Sequence, residues 1–295
     1  MRKTLLVLIE IVLGIVVLAA CSILIAGIAL PVWVTIVLMV VAFGGLLLFA
    51  AILYNPRSSR AYDNRGLARA RKGDWAGAIA DYDRAIELDP NCAMAYFDRG
   101  LAHARKGDQA GAITDYTRAI EIDPHLAPAY HSRGLARADE GNRADAIADY
   151  TRAIELRPDL AASYYNRGVV HAEQGYRASA IADYDRAIEI DPRLAPAYGS
   201  RGLARAEEGD QAGALTDYDE AIRLSPTDAD KAWAYACRAY ACVVMGDVPA
   251  ACESLATAIA LDPQWRDVAR TEPAFDPIRH EPCFQALIAE PTTSP

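Results

Sequence analysis

Histidine and cysteine are scarce in this 295-residue chain, 5 and 6 in number, and neither type recurs at ligand spacing. Cys92, Cys237, Cys242, Cys252 and Cys283 form no C-x-x-C pair, and His103, His125, His131, His171 and His280 are scattered. A metal centre is therefore not expected. Phosphate-loop, nucleophile-elbow and H-E-x-x-H patterns are also missing. A carboxylate pair such as Glu207-Glu208 reads as neighbours in a solvated helix end. The chain offers no sign of an enzyme, of a cofactor or of a small-molecule substrate. A net charge of −9 opposes the phosphate backbone and excludes broad electrostatic binding of nucleic acid. The 53% apolar content and the lack of a G-X-Y period exclude disorder and a collagen-like chain.

Charge is missing from one long block. Between Leu5 and Tyr54 only Glu10 is charged. At about 20 residues per bilayer span, this block holds two helical crossings and a short turn. Gly27, Pro31 and an interfacial Trp33 set the reversal near Ala26 to Val34. Arg2 and Lys3 flank one end, and Arg57, Arg60 and Arg65 follow the other, so the positive-inside rule puts both ends in the cytoplasm. The expectation is a multi-pass inner-membrane protein. A second reading stays open, because Leu18-Ala19-Ala20-Cys21 resembles the lipobox of a bacterial lipoprotein, which would hold an exported domain by lipid at Cys21. Against it, Glu10 interrupts the apolar stretch, and some thirty apolar residues follow Cys21 where such signals turn polar. Gly44 and Gly45 could also let a hairpin self-associate, a purely structural role.

Further along, the chain repeats itself. Pro90, Pro124, Pro158, Pro192 and Pro226 fall 34 residues apart, as do Gly66, Gly100, Gly134, Gly168 and Gly202. A sixth copy, with Gly246 and Pro263, follows after three extra residues near Ala229 to Lys231. Within a unit, the helix-forming stretch around Tyr62 ends at Gly73, a natural C-cap, and Asp74 supplies the next N-cap. Ala78, Ile79, Tyr82, Ala85 and Ile86 form the apolar stripe of a second helix that Pro90 stops. Two short helices cannot bury their apolar faces alone, so neighbouring units must stack into a continuous core.

These residues resemble the tetratricopeptide repeat: Tyr62, Gly66, Gly73, Ala78, Tyr82, Ala85 and Pro90 in the first copy, and their counterparts down to Tyr198, Gly202, Ala214, Tyr218 and Ala221 in the fifth. The sixth copy departs, with Ala239 and Leu255 in place of the Gly and the aromatic. The resemblance implies a right-handed α-solenoid whose first helices line a concave face. The whole chain then reads as all-α: a two-helix transmembrane hairpin at 1–54, a linker at 55–58, six tetratricopeptide-type helix pairs at 59–265, and a C-terminal cap and tail at 266–295. Solenoids need their last apolar face covered, and residues 275–288 are expected to fold a short helix over it.

The resemblance also implies that Phe97, Leu101, His131, Leu135, Tyr165, Val169, Leu203 and Tyr240 line the concave groove. That row is mainly apolar with aromatic anchors, suited to a protein or peptide partner that inserts hydrophobic side chains. The Lys and Asn of the family's carboxylate-clamping subclass are replaced by Asp63 and Leu67, so that mode is not supported. The expected role is a membrane-anchored scaffold that recruits a protein partner. The alternatives are a self-associating structural protein and a lipidated cell-envelope assembly factor.

One departure recurs. Where the family usually carries Leu, this chain has Arg65, Arg99, Arg133, Arg167, Arg201 and Arg238. Antiparallel packing brings that position close to Asp81, Asp115, Asp149, Asp183 and Asp217, so a ladder of Arg to Asp pairs is expected. A row of guanidinium groups offered to an acidic ligand is the alternative. Ser254 stands in the sixth copy, which would leave Arg238 the most available. His103 and His171 stand where other copies have Arg69, Arg137 and Arg205, and read as surface variants. The cysteines are expected to be free in a reducing cytoplasm, with a Cys237–Cys252 disulfide conceivable only for an exported domain.

Overall fold

The structure, a computed structural model, describes residues 58–289. The expected hairpin at 1–54, with Cys21, and most of the linker lie outside the described residues. No helix among the described residues is long and apolar enough to cross a membrane.

Fourteen α-helices are described. The first helices of the six pairs are α1 (Ser59–Ala70), α3 (Ala93–Arg105), α5 (Ala127–Asp139), α7 (Ala161–Glu173), α9 (Ala195–Glu208) and α11 (Asp228–Met245). The second helices are α2 (Trp75–Leu88), α4 (Gln109–Ile122), α6 (Arg143–Leu156), α8 (Arg177–Ile190), α10 (Gln211–Leu224) and α12 (Val248–Leu261). Two shorter helices follow, α13 (Gln264–Thr271) and α14 (Pro282–Ile288), with a 3-10 segment Pro273–Ile278 between them. The turn inside each pair carries a left-handed glycine, and in every pair but the fourth, where Tyr176 makes no cap bond, an Asp or Asn side chain then caps the second helix. Gly73 adopts φ 79°, a left-handed conformation that costs a glycine little. The Asp74 side chain then accepts the Gly77 N–H at 2.9 Å and starts α2.

The two helices of a pair approach closely because a glycine faces a ring. Tyr82, Tyr116, Tyr150, Tyr184 and Tyr218 are at most 1% exposed. A Cβ at Gly134 would lie 2.8 Å from the Tyr150 ring, inside van der Waals contact. Small residues do the same between pairs, where Ala78 and Tyr82 pack on Ala102 of the next first helix. Successive first helices touch one another, and successive second helices make no comparable contact. The first-helix side is therefore the inside of the curve.

The arginine row is bound within the fold. Arg133 donates from Nε and Nη2 to the two carboxylate oxygens of Asp149, at 2.9 and 2.7 Å. Arg99, Arg167 and Arg201 hold Asp115, Asp183 and Asp217 in the same fork, and Arg65 holds Asp81. A further bond reaches back to the preceding unit, from Arg99 to Asp83 at 2.6 Å, Arg133 to Thr117 at 3.1 Å, Arg167 to Thr151 at 3.0 Å and Arg201 to Asp185 at 2.6 Å. Each of these guanidinium groups therefore joins two units. Arg238 is not the free member: it donates to Ser254 at 2.7 Å and to Asp219 at 2.9 Å. His171 is no surface variant either, since its Nδ1 lies 3.1 Å from Asp183. Arg137 and Arg205 likewise reach Asp149 and Asp217, at 2.7 and 2.9 Å, and His103 sits 2.7 Å from Asp108. In the copies that carry arginine there, that position places a second cation on the buried carboxylate.

At the C-terminal end, Phe275, Ile278 and Phe284 bury against Leu255, Ile259 and Ala239. Arg266 and Arg270 donate to the carbonyls of Leu287 and Ile288, the last orphan acceptors of α14. Cys252 and Cys283 form a disulfide with their Cα atoms 6.1 Å apart, tying α12 to α14. This corrects the expectation of free thiols, and the partner of Cys252 is Cys283 rather than Cys237. The period gave no hint of it, because Cys283 lies beyond the last repeat.

Asp149 is 5% exposed and neutralises both Arg133 and Arg137. Asp149→Ala leaves two half-buried guanidinium groups without their anion and is expected to cost about 3–5 kcal/mol in chemical denaturation of the full-length chain. Glu155→Ala, which breaks only the exposed pair with Arg152, is expected to leave the midpoint unchanged.

Candidate functional site

The concave face is built from one turn of each first helix. Phe97, His131 and Tyr165 occupy equivalent places on α3, α5 and α7 and lean on the tyrosine of their own second helix. Their ring centroids lie 5.9, 5.8 and 5.9 Å from Tyr116, Tyr150 and Tyr184. All three are half-buried. His131 Nδ1 is 2.9 Å from the Ser163 hydroxyl on the next first helix. Burial lowers the His131 pKa, so the imidazole is neutral at physiological pH. One turn on, Leu101 and Leu135 are each 38% exposed, while Val169 and Leu203 are half-buried. Tyr240 continues that row on α11 after the three-residue insertion. It lines a cleft of about 400 Å³ with Cys237, Trp265, Val268 and Phe275, where α11 meets the cap.

Two features of this face do not follow from the aromatic row. The equivalent of Phe97 on α9 is Gly199, and Trp233 of α11 fills its place: a Cβ on Gly199 would lie 2.4 Å from the indole. The three extra residues before the sixth unit allow this by extending α11 to 18 residues, which starts the helix about a turn early and leaves Trp233, the counterpart of Pro196, in its second turn. Trp233 remains 37% exposed. With Tyr165, Leu194, Pro196, Leu224 and Pro226 it lines a cleft of about 560 Å³, rimmed by Asp191, Arg193 and Asp230. Tyr165 alone of the eight sequence-derived residues belongs to this cleft. The insertion and the lone Gly199 were the sequence signals for it.

The second feature is acidic. Asp98 on α3 is 8% exposed, and burial together with the charge of Asp63 on α1 pushes its pKa up to about 7. Asp63 is also raised by burial, and its Oδ1 is buried without a hydrogen-bond partner among the described residues. Two carboxyls in this state attract a cation, because a positive group would stabilise both anions at once. Nucleophilic chemistry has no comparable support. Burial raises the Cys237 thiol to about 12, which leaves it protonated. No group of His, Cys, Asp and Glu among the described residues is arranged to hold a metal ion.

Models of the tetratricopeptide repeat match residues 49–91, 63–127 and 161–194, and a TPR repeat model matches 134–175. No curated protein matches the chain. Among solved structures, the chain is similar to MamA, with 30% identity over 54% of this chain and 93% of that one and a TM-score of 0.51. YrrB, described as a TPR protein with an unusual peptide-binding site, is 24% identical over 60% of this chain and 92% of its own, with a TM-score of 0.51. PilF of Pseudomonas aeruginosa is 18% identical over 70% of this chain and 92% of its own, with a TM-score of 0.61. At these identities the last two likenesses concern the fold.

An aspartate whose pKa rises from about 4 in the unfolded chain to about 7 when folded holds its proton more tightly in the folded state. Its contribution is present below pH 4 and is lost as pH climbs through 7. Asp98→Asn is therefore expected to melt close to the native chain at pH 4 and to be about 1–3 kcal/mol more stable at pH 8, measured by denaturation at the two pH values.

Proposed function

Because the chain belongs to the tetratricopeptide repeat family, whose members are protein-interaction scaffolds, we propose that it holds its partner by an apolar peptide laid along the first-helix face. The observation that carries this reading is the pair of exposed leucines, Leu101 and Leu135, set between half-buried aromatic side chains on neighbouring helices. Exposed apolar side chains beside rigid rings make the kind of pocket that anchors a partner's hydrophobic residues. Asp63 and Asp98 at one end favour a peptide that also carries a basic residue, and the chain's net charge of −9 draws the same class of partner. The role is recruitment rather than catalysis. The apolar block at 1–54 is long enough to tether the scaffold to a bilayer.

A second reading concerns the side of the membrane. The basic flanks alone favour a cytoplasmic repeat domain. The Cys252–Cys283 disulfide favours the exported side, since such bonds persist in oxidising compartments.

Peptides selected from a random display library on the full-length chain are expected to be apolar with at least one Lys or Arg. Leu101→Asp and Leu135→Asp together are expected to weaken them tenfold or more, about 1.4 kcal/mol, with an unchanged melting curve. Unaltered affinity would move the site off this face. Alkylation of the chain in intact cells before any reduction is expected to leave Cys252 and Cys283 unmodified; labelling of both would return the domain to the cytoplasm.

A further inference from the structure

Every unit but the first is closed on its N-terminal side by the second helix of the unit before it. Ala102, Ala136, Val170, Ala204 and Ala241 are consequently at most 3% exposed, whereas their counterpart on α1, Ala68, is exposed. Ala95 and Ala129 are fully buried, whereas their counterpart Ala61 is only half-buried. The Arg65 side chain is 54% exposed, against 12% for Arg133 in the same place. α1 thus presents a strip of small residues, shaped like the others, with no helix on it among the described residues.

We propose that residues 41–54 occupy this strip as the second helix of a half-unit, stacked on α1 as α2 stacks on α3. The register of the chain points to that occupant. One 34-residue period before Pro90 stands Pro56, and one period before Ala85 and Ile86 stand Ala51 and Ile52. The Ala-Ile pair recurs at every later unit through Ala221 and Ile222. The contacts transfer with the register. Ala119 and Ile120 bury against Ala129, so Ala51 and Ile52 meet Ala61. Ala78 and Tyr82 bury against Ala102, so Gly44 and Leu48 meet Ala68. The tetratricopeptide match that begins at residue 49 starts inside the same stretch. Asn55, Pro56 and Arg57 separate this segment from the N-cap Ser58, the same three-residue spacing that joins each of the first four second helices to the next first helix.

The polar positions agree with an apolar occupant. The counterparts of Asp81 and Asp83, the anions that hold Arg65 and Arg99, are Leu47 and Phe49. Arg65 therefore has its own carboxylate but none behind it, and a ring in that place suits a guanidinium group. One period before α1 falls on residues 25–36, which carry Pro31 where every later first helix has arginine, so the register supplies no first-helix sequence there. With 41–54 on the solenoid, residues 5–40 are left for the bilayer, enough at about 20 residues per crossing for one full span rather than two. A single crossing puts the repeats across the membrane from Arg2 and Lys3, the side on which the disulfide persists. Occupancy of α1 is independent of what lies in the groove, and its test does not use groove residues.

The test is a cysteine pair in the full-length chain in its own membrane, Ala51→Cys with Ala61→Cys, oxidised with copper phenanthroline and read by mass spectrometry. Ala119→Cys with Ala129→Cys, where the contact is seen, is the positive control. The two pairs are expected to link to a similar extent, and the single variants not at all. Linking of the control without the test pair would overturn the proposal. Ala50→Cys, the counterpart of exposed Arg84, is expected to react with a water-soluble maleimide in opened membranes. Its complete protection would place this segment in lipid and overturn the proposal by a second route.

Discussion

A carboxylate buried on each of the first five second helices cannot stay charged alone, and the need to neutralise it organises the stack. Arginine supplies the answer in two directions. Its fork takes both oxygens of the aspartate in its own unit, and its remaining nitrogen reaches a carboxylate or hydroxyl in the unit before. The apolar contacts among alanines and tyrosines would tolerate some sliding of one helix pair on the next. A planar guanidinium held from three sides does not, so the polar ladder sets the register that the apolar core then fills.

That register places the groove. Because glycine faces a tyrosine ring within each pair, the first helices sit close against their second helices, and the residues one turn along turn inward to the curve. Phe97, His131 and Tyr165 are half supported by those tyrosines, which makes them firm walls. The leucines beside them carry the solvent-facing apolar surface. Chemical variety enters at the ends of the row, where Asp98 holds a proton it releases near neutrality and where Trp233 stands in for a missing side chain on α9.

Much of this was legible in the chain because a strict period makes each unit a control for the others. The helix pairs and the Arg to Asp pairing follow from spacing alone. The backward bond to Asp83 or Thr117 does not, since it depends on how one pair is rotated against the next. The histidines at 103 and 171 looked like surface variants because their arginine counterparts also looked free, and only the geometry shows that His171 and the arginines share a buried aspartate while His103 holds the capping Asp108. The eight groove positions were named from family resemblance, and the cleft beside Trp233 escaped because it arises where the period breaks. The Cys252–Cys283 bond escaped for the same reason: α14 docks by its own apolar residues, at no multiple of the repeat.

The backward-reaching arginine is chemically the same at the first four junctions, with Asp or Thr as acceptor and the same aspartate fork in front. Neighbouring units are for that reason nearly interchangeable parts. Recombination that removes or duplicates one whole unit from the middle of the array would rejoin an arginine to an acceptor of the kind it left, with no orphaned charge and no cavity. The length of the array, and with it the length of the peptide its inner face can span, is therefore free to drift by whole units, while its two ends, one sealed by a disulfide and the other leading to the apolar block, are not.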